Sequence, residues 1–409
     1  PRIPRPLREN RGTATHPARA ARETWRCHTP PCVNCGNLDS LVILSDSGRN
    51  QLCSYSCSPS ELALHIPGRL NRFVIYNELM TVIVDDITAF DYYAHNPVNG
   101  AMADRARRIV RDGFSTTTKK AVEDFFDNTH GIDPRKLRLA TANPANRPYK
   151  NKIKYRVFSD DRLLDGSYAL SEDLLLVPPE AALIALAPKC EPVEFIELAS
   201  LLCSRFYLDQ FSEYGVMPRE VPLATPKSIT TYMDAVPGLR GSVKTRKLLP
   251  FITVNAESPM EVKVDMLTSL PKRYGGKGIP RPVLGHAVSV PEQFQRSLGS
   301  ATFRYDFYWP AHNLEVEYDS DAVHGNAEKK PHDSRRRNII QAQGVRCLTL
   351  TRDQVVHDFA FEEYIFELSS LLGVRYSTRT ERNYELEQGL RAHLFNSELR
   401  ASRWRSLWE

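Results

Sequence analysis

Asp306, Glu315, Glu317 and Asp319 crowd a short stretch in the last third of this 409-residue chain, and carboxylates so close together invite a chemical explanation. Phe303–Trp309 and Leu314–Asp319 both read as strands, joined by Pro310-Ala-His-Asn313. A hairpin with that loop pairs Trp309 with Leu314. Counting back places Asp306 opposite Glu317, and Arg304 opposite Asp319. Alternation along a strand puts Glu315, Glu317 and Asp319 on one face. Facing Cβ atoms in such a pair are only about 5 Å apart, and like charges there oppose pairing. Three resolutions are open. A hard cation such as Mg²⁺ or Mn²⁺ can take one or two of the carboxylates as oxygen ligands. Arg304 can neutralise them, or one acid can keep its proton through a raised pKa. The charges can also simply be hydrated on an open face. Leu314, Val316 and Tyr318 would bury the opposite face, and the stretch continues into His324, in a loop beyond the strand end.

Other elements must bring this hairpin its partners. Ser258-Pro259-Met260-Glu261 opens a helix through Leu270, with proline at the first helical position. Glu261 is there either as the acidic arm of a capping box or as a site residue, and both can hold together. After His324, Asp333-Ser-Arg-Arg-Arg337 starts a helix that ends near Gly344, followed by the strand Val345–Leu350. Arg335, Arg336 and Arg337 near a helix start suit a DNA phosphate, or form a solvated face. Lys272, Arg273 and Lys277 make a basic loop that faces DNA or is an ordinary turn.

These pieces resemble the restriction-endonuclease-like, or PD-(D/E)XK, superfamily, in particular the group similar to very-short-patch-repair endonucleases. The resemblance runs over residues 257–372. It is carried by Asp306, the Glu-Val-Glu-Tyr-Asp run from Glu315, His324, the helix start around Asp333 and Arg336, and Gly-Val-Arg-Cys-Leu-Thr from Gly344. It implies a mixed α/β (α+β) fold with an αβββαβ core, and a divalent-metal-dependent DNA endonuclease. Carried over by position, Asp306 and Glu317 with Asp319 bind Mg²⁺ or Mn²⁺, with Arg304 beside them for DNA. His324 assists proton transfer, and Glu261 reaches the metal through water. The chain departs from the pattern at Asp319, which stands where the superfamily's water-orienting lysine is expected. A non-catalytic DNA-binding regulator on the same scaffold is the alternative, and an RNA-directed nuclease a third.

The rest of the sequence bounds the setting. Net charge is +5, compatible with nucleic acid without requiring it. The absence of an apolar leader or spanning segment reads as a cytoplasmic protein with no membrane partner. Residues 1–26 read as a disordered basic arm. Residues 70–250 read as a mixed α/β recognition or scaffolding domain, and 375–409 as a helical tail with a frayed end. Within the middle region, Asp85-Asp86-Ile-Thr-Ala89 and the Pro-Pro-Glu-Ala-Ala-Leu run from Pro178 are faintly similar to antitoxins of abortive-infection pairs, which bind DNA as repressors. Residues 27–65 hold Cys32-x2-Cys35 and Cys53-x3-Cys57 around a hairpin-like stretch, a spacing that suits tetrahedral zinc. Metal analysis of the purified protein is expected to return one zinc per chain. No zinc, with all eight cysteines titrating as free thiols, would remove the site.

Overall fold

The computed structural model describes residues 57–58, 61–62, 80–112, 115–116, 138–141, 154–158, 161–172, 174–319, 330–376 and 380–408. The chain divides into two compact units, Pro1–Tyr76 and Asn77–Glu409. In the first, the described part is a short antiparallel pair, β1 (Cys57–Ser58) and β2 (Glu61–Leu62). Cys57 lies on it. Cys32, Cys35 and Cys53 fall outside the described residues, as does the basic arm.

The second unit opens with a mixed sheet. Its strands are β3 (Met80–Val84), β4 (Ser115–Thr116), β5 (Arg138–Thr141), β6 (Lys154–Val157), β7 (Tyr168–Ser171) and β8 (Leu174–Leu176). They run in the order β6-β5-β3-β8-β7, with β4 on the first residues of β3. Leu174-Leu-Leu176 is buried throughout and pairs in parallel with β3, the setting in which an unbroken apolar run is stable. The helices α1 (Asp86–His95), α2 (Gly100–Asp112), α3 (Pro179–Leu186) and α4 (Pro192–Leu202) accompany this sheet. Asp85 caps α1 by accepting from the Asp86 N–H, and its carboxylate takes both forks of Arg156 from β6 at 2.5 Å. This buried pair fixes β6 against the start of α1.

α4 stops at Leu202. Tertiary partners stop it: the Arg205 N–H donates to the Ala256 carbonyl. Phe206–Leu208 becomes strand β9, paired with β10 (Val216–Pro218). Helices α5 (Pro226–Ala235) and α6 (Ser242–Leu248) follow.

The remaining elements build a second mixed sheet. In chain order they are α7 (Pro259–Ser269), β11 (Val283–Ser289), α8 (Glu292–Leu298), β12 (Thr302–Trp309), β13 (Leu314–Asp319), α9 (Lys330–Ala342) and β14 (Arg346–Thr351). The strand order is β11-β12-β13-β14, antiparallel except for the last pair. Trp309 pairs with Leu314, the register expected from the loop length. Both faces are covered. Phe307, Trp309, Leu314, Val316 and Leu350 belong to the main core. Tyr305 joins Ile340 and Val345, with Tyr308 and Cys347, beneath α9.

Helices α10 (Arg352–Val356), α11 (Asp358–Leu371), α12 (Glu381–Phe395) and α13 (Ser397–Trp408) complete the chain. The end expected to fray is helical. Arg400, Trp404 and Leu407 share one face, and there the Trp404 ring packs tilted against Phe90 at 6.1 Å, Arg400 bonds Glu197 at 2.7 Å and Leu407 is buried. No helix among the described residues is long and apolar enough to cross a membrane.

One irregularity bears on the site. The pair Gly285–Asp306 is missing from the β11–β12 ladder, and Gly285 sits at φ +59°. A side chain there would have its Cβ 2.7 Å from the Asn255 carbonyl oxygen. Only glycine tolerates both demands. Gly285→Ala is therefore expected to cost about 1–3 kcal/mol, measured by urea denaturation. A neutral result would show that the bend in β11 relaxes freely.

Candidate active site

Asp306 stands where the β12–β13 ladder ends. The last registered pair is Phe307 with Val316, and beyond it the Tyr318 N–H donates to Asp306 Oδ2 at 2.9 Å. The carboxylate thus takes the place of a strand carbonyl and holds the end of β13. Tyr305 and Phe307 belong to different apolar clusters, so the alternation of β12 slips at Asp306, next to the bend at Gly285.

Glu261 comes to the same place from α7. The Ser258 hydroxyl donates to Oε1 at 2.7 Å, and the Glu257 N–H donates to Oε2 at 2.8 Å. Ser258 Oγ in turn accepts from the Glu261 N–H at 3.2 Å. Glu261 is therefore a capping residue, and it is also buried against a second acid. Burial pushes its carboxyl well above the usual range, and the charge of Asp306 adds to the shift. Asp306 is raised chiefly by burial as well; the Tyr318 N–H and Arg336 oppose this, while Glu317 and Glu257 reinforce it.

Glu315, not singled out as a site residue by spacing alone, is fully buried under α9. Neither of its oxygens meets a conventional hydrogen-bond donor, and its ladder partner is Cys347. Hydration of an open face is thus not available to it. Burial first, then Glu317, raises its pKa to about 7. The signal was in the alternation, which puts Glu315 on the face of Glu317, and of the resolutions open to these acids Glu315 takes the raised pKa. Arg336 supplies the positive charge. Its Nη1 donates to Glu317 Oε1 at 2.5 Å, its Nη2 donates to the Arg304 carbonyl, and Nη2 lies 4.0 Å from Glu315 Oε1. Its guanidinium carbon is 5.5 Å from the centroid of the Phe303 ring.

Several expected roles change in position. α9 begins at Lys330, so Arg335, Arg336 and Arg337 lie in its second turn and lack a helix N-terminus for phosphate. Arg335 is exposed and Arg337 partly so, whereas Arg336 turns inward on Glu317. Arg304 does not neutralise the hairpin acids. It reaches Glu257 at 3.2 Å and the Gly285 carbonyl at 2.7 Å. Lys277 also turns inward, to Glu362 and to Glu387 at 2.6 Å. Lys272 and Arg273 remain exposed, but they follow the far end of α7 from Glu261, and Arg273 lies over the rings of Phe251 and Tyr274. At 1.5 Å per residue the helix separates its two ends by over about 10 Å. The basic loop is thus not part of the carboxylate cluster. Asp319 pairs with Thr351 on β14. His324 lies outside the described residues.

Among the described residues, no group of three or more His, Cys, Asp or Glu side chains is disposed to hold one ion. Mg²⁺ asks for less: one or two carboxylates, with water and phosphate completing the shell. Asp306 and Glu317 fit that donor set, since they raise each other's energy and are hard oxygen ligands. Cys347 is unsuited as a nucleophile, because burial pushes its thiol up to about 12.

A carboxyl held above its ordinary range lets the folded state keep a proton that the unfolded chain releases. For Glu315, stability is therefore greatest below 4.5 and is lost as pH rises towards about 7. Glu315→Gln is expected to raise the Tm at pH 8 by about 2–6 °C and to flatten its pH dependence across that window. A lower Tm at pH 8 would mean that the charge on Glu315 is needed to hold Arg336.

No family model matches the chain, and no solved structure does. It is similar to two uncharacterized proteins of Mycobacterium tuberculosis, one from strain CDC 1551 / Oshkosh and one from strain H37Rv. Each is 30% identical over 118 residues, which is 29% of this chain and 39% of the relative. The similarity thus spans about two fifths of the length of these relatives.

Proposed function

We propose that the chain is a divalent-metal-dependent DNA endonuclease whose site is built on the β12–β13 hairpin. The observation that carries it is the burial of Glu261 and Asp306 against one another, where the β12–β13 ladder ends on the sheet that also bears Glu317. Two acids from different elements, each raised by burial and by its neighbours, form a place that a cation would stabilise. The succession α7, three strands, α9 and β14, with α8 inserted, supports the restriction-endonuclease-like core.

Asp306 and Glu317 would hold Mg²⁺ or Mn²⁺, with Asp319 beside them. The ion supplies polarisation of the scissile phosphate and a lowered pKa for water. The remaining roles belong to main-chain and side-chain groups of this protein. The Tyr318 N–H keeps Asp306 from rotating, and Ser258 and the Glu257 N–H aim Glu261 at it. His324, just beyond β13, would move the proton, since no lysine follows Glu317 at the usual place.

A non-catalytic DNA-binding regulator is the rival, and one observation favours it: Arg336 already occupies Glu317. Cleavage and binding on the same DNA at the same salt separate the two. Asp306→Asn should abolish Mg²⁺- or Mn²⁺-dependent cleavage, and His324→Ala should slow it by about 10²-fold or more, with DNA affinity nearly unchanged in both. Binding indifferent to chelator, and no cleavage by the wild type with either metal on single- or double-stranded DNA, would leave the regulator. Cleavage confined to RNA would change the polymer.

A further inference from the structure

Arg336 is held in an unusual way for a residue on a helix surface. Its fork spans the Glu317 carboxylate and the Arg304 main-chain carbonyl, and its plane lies against Phe303. The side chain is only 18% exposed. Its Nε is buried with no hydrogen-bond partner, so the fork is its whole set of bonds there. Around it stand Glu315 and Glu317, and Asp306 feels its charge. The neighbouring cations do other work: Arg304 serves Glu257 and Gly285, while Arg335 faces solvent.

We infer that Arg336 is the built-in counter-cation of the carboxylate cluster, standing on Glu317 Oε1 until a divalent ion displaces it. The inference rests on Asp306 and Glu317 being the metal site. The displacement follows from electrostatics. An ion on Glu317 Oε1 would have a guanidinium within about 4 Å, in a region too dry to screen the repulsion. One of the two must leave. The guanidinium is tethered by a flexible side chain, so it is the one that moves. Without an ion it has the opposite effect: it lets the buried Glu315 and the half-buried Glu317 and Asp306 share one positive charge, and the sheet keeps its shape.

Loading then costs the breaking of the Arg336–Glu317 pair. If the paired state holds all but about a tenth of the molecules, apparent metal affinity is reduced about tenfold. Arg336 sets the metal concentration at which the site fills. Its position two turns into α9 also means that the helix itself need not move.

The test is a titration of the full-length protein with MnCl2, without DNA, after removal of metal by chelator and dialysis. Arg336→Met keeps the side-chain length over Phe303 and removes the charge. It is expected to bind Mn²⁺ about tenfold more tightly than the wild type, and adding Asp306→Asn should abolish the binding. In thermal denaturation the metal-free variant should melt below the wild type and gain more from Mn²⁺. Arg336→Lys, which keeps a charge but loses the fork, should shift affinity in the same direction by less. It carries the comparison should Arg336→Met not fold. Equal or weaker Mn²⁺ binding by the variants, with Asp306→Asn still abolishing it, would overturn the counter-cation role and leave the metal site standing. Failure of both wild type and variants to bind millimolar Mn²⁺ would remove the metal site itself, and the inference with it.

Discussion

A carboxylate taken out of water must find a positive partner or keep a proton. Glu261, Asp306, Glu315 and Glu317 meet that demand together, with the Arg336 guanidinium serving Glu317, Glu315 and Asp306, and Glu261 held by Ser258 and the Glu257 N–H. Much of the local architecture follows from it. α9 is drawn onto the sheet through Arg336 as well as through Ile340. β12 slips its alternation at Asp306, and the Asp306 carboxylate, not a main-chain carbonyl, closes the ladder to β13. Gly285 lets β11 bend away from the missing pair.

The acidic patch is also tied to its surroundings by Glu257. Its carboxylate lies between Arg205, 3.7 Å away, and Arg304, 3.2 Å away, while its N–H anchors Glu261. A single residue before α7 thus links the β9–β10 hairpin, the sheet and the buried acids. The same helix is held from below by Arg281, which bonds the Phe251 and Ile252 carbonyls and lies 3.4 Å from Asp265. Rigid support of this kind is what a site requires if its side chains are to be placed to within fractions of an ångström.

Where the chemistry depends on local rules, the sequence was readable. The loop Pro310–Asn313 sets the register of the three pairs nearest the turn, but the expected pairs of Asp306 with Glu317 and Arg304 with Asp319 are not in the ladder, because the alternation of β12 slips at Asp306. Ser258, Pro259 and Glu261 announced the start of α7. What could not be read depends on contacts far along the chain. Arg335, Arg336 and Arg337 look alike in sequence, yet successive helical residues point about 100° apart, and only the packed sheet decides which one turns inward. Lys277 reads as a loop cation until Glu362 and Glu387 arrive from α11 and α12. β11 hides because Gly285 and His286 interrupt its apolar run, and the end of α4 is set by a carbonyl at Ala256. Glu315 was visible as part of the run but not as buried, since the cover comes from α9.

Among the described helices, the last returns to the first. Arg400 reaches Glu197 across 203 residues of chain, and Trp404 closes over Phe90. Contacts of such long range are reached late in folding, because the loop they close must be ordered first. On the ribosome, α1 and α4 emerge and collapse while their final cover is still unsynthesised. Until Trp404 is synthesised the apolar surface around Phe90 stays open, and over that interval a nascent chain of this protein has most need of a chaperone.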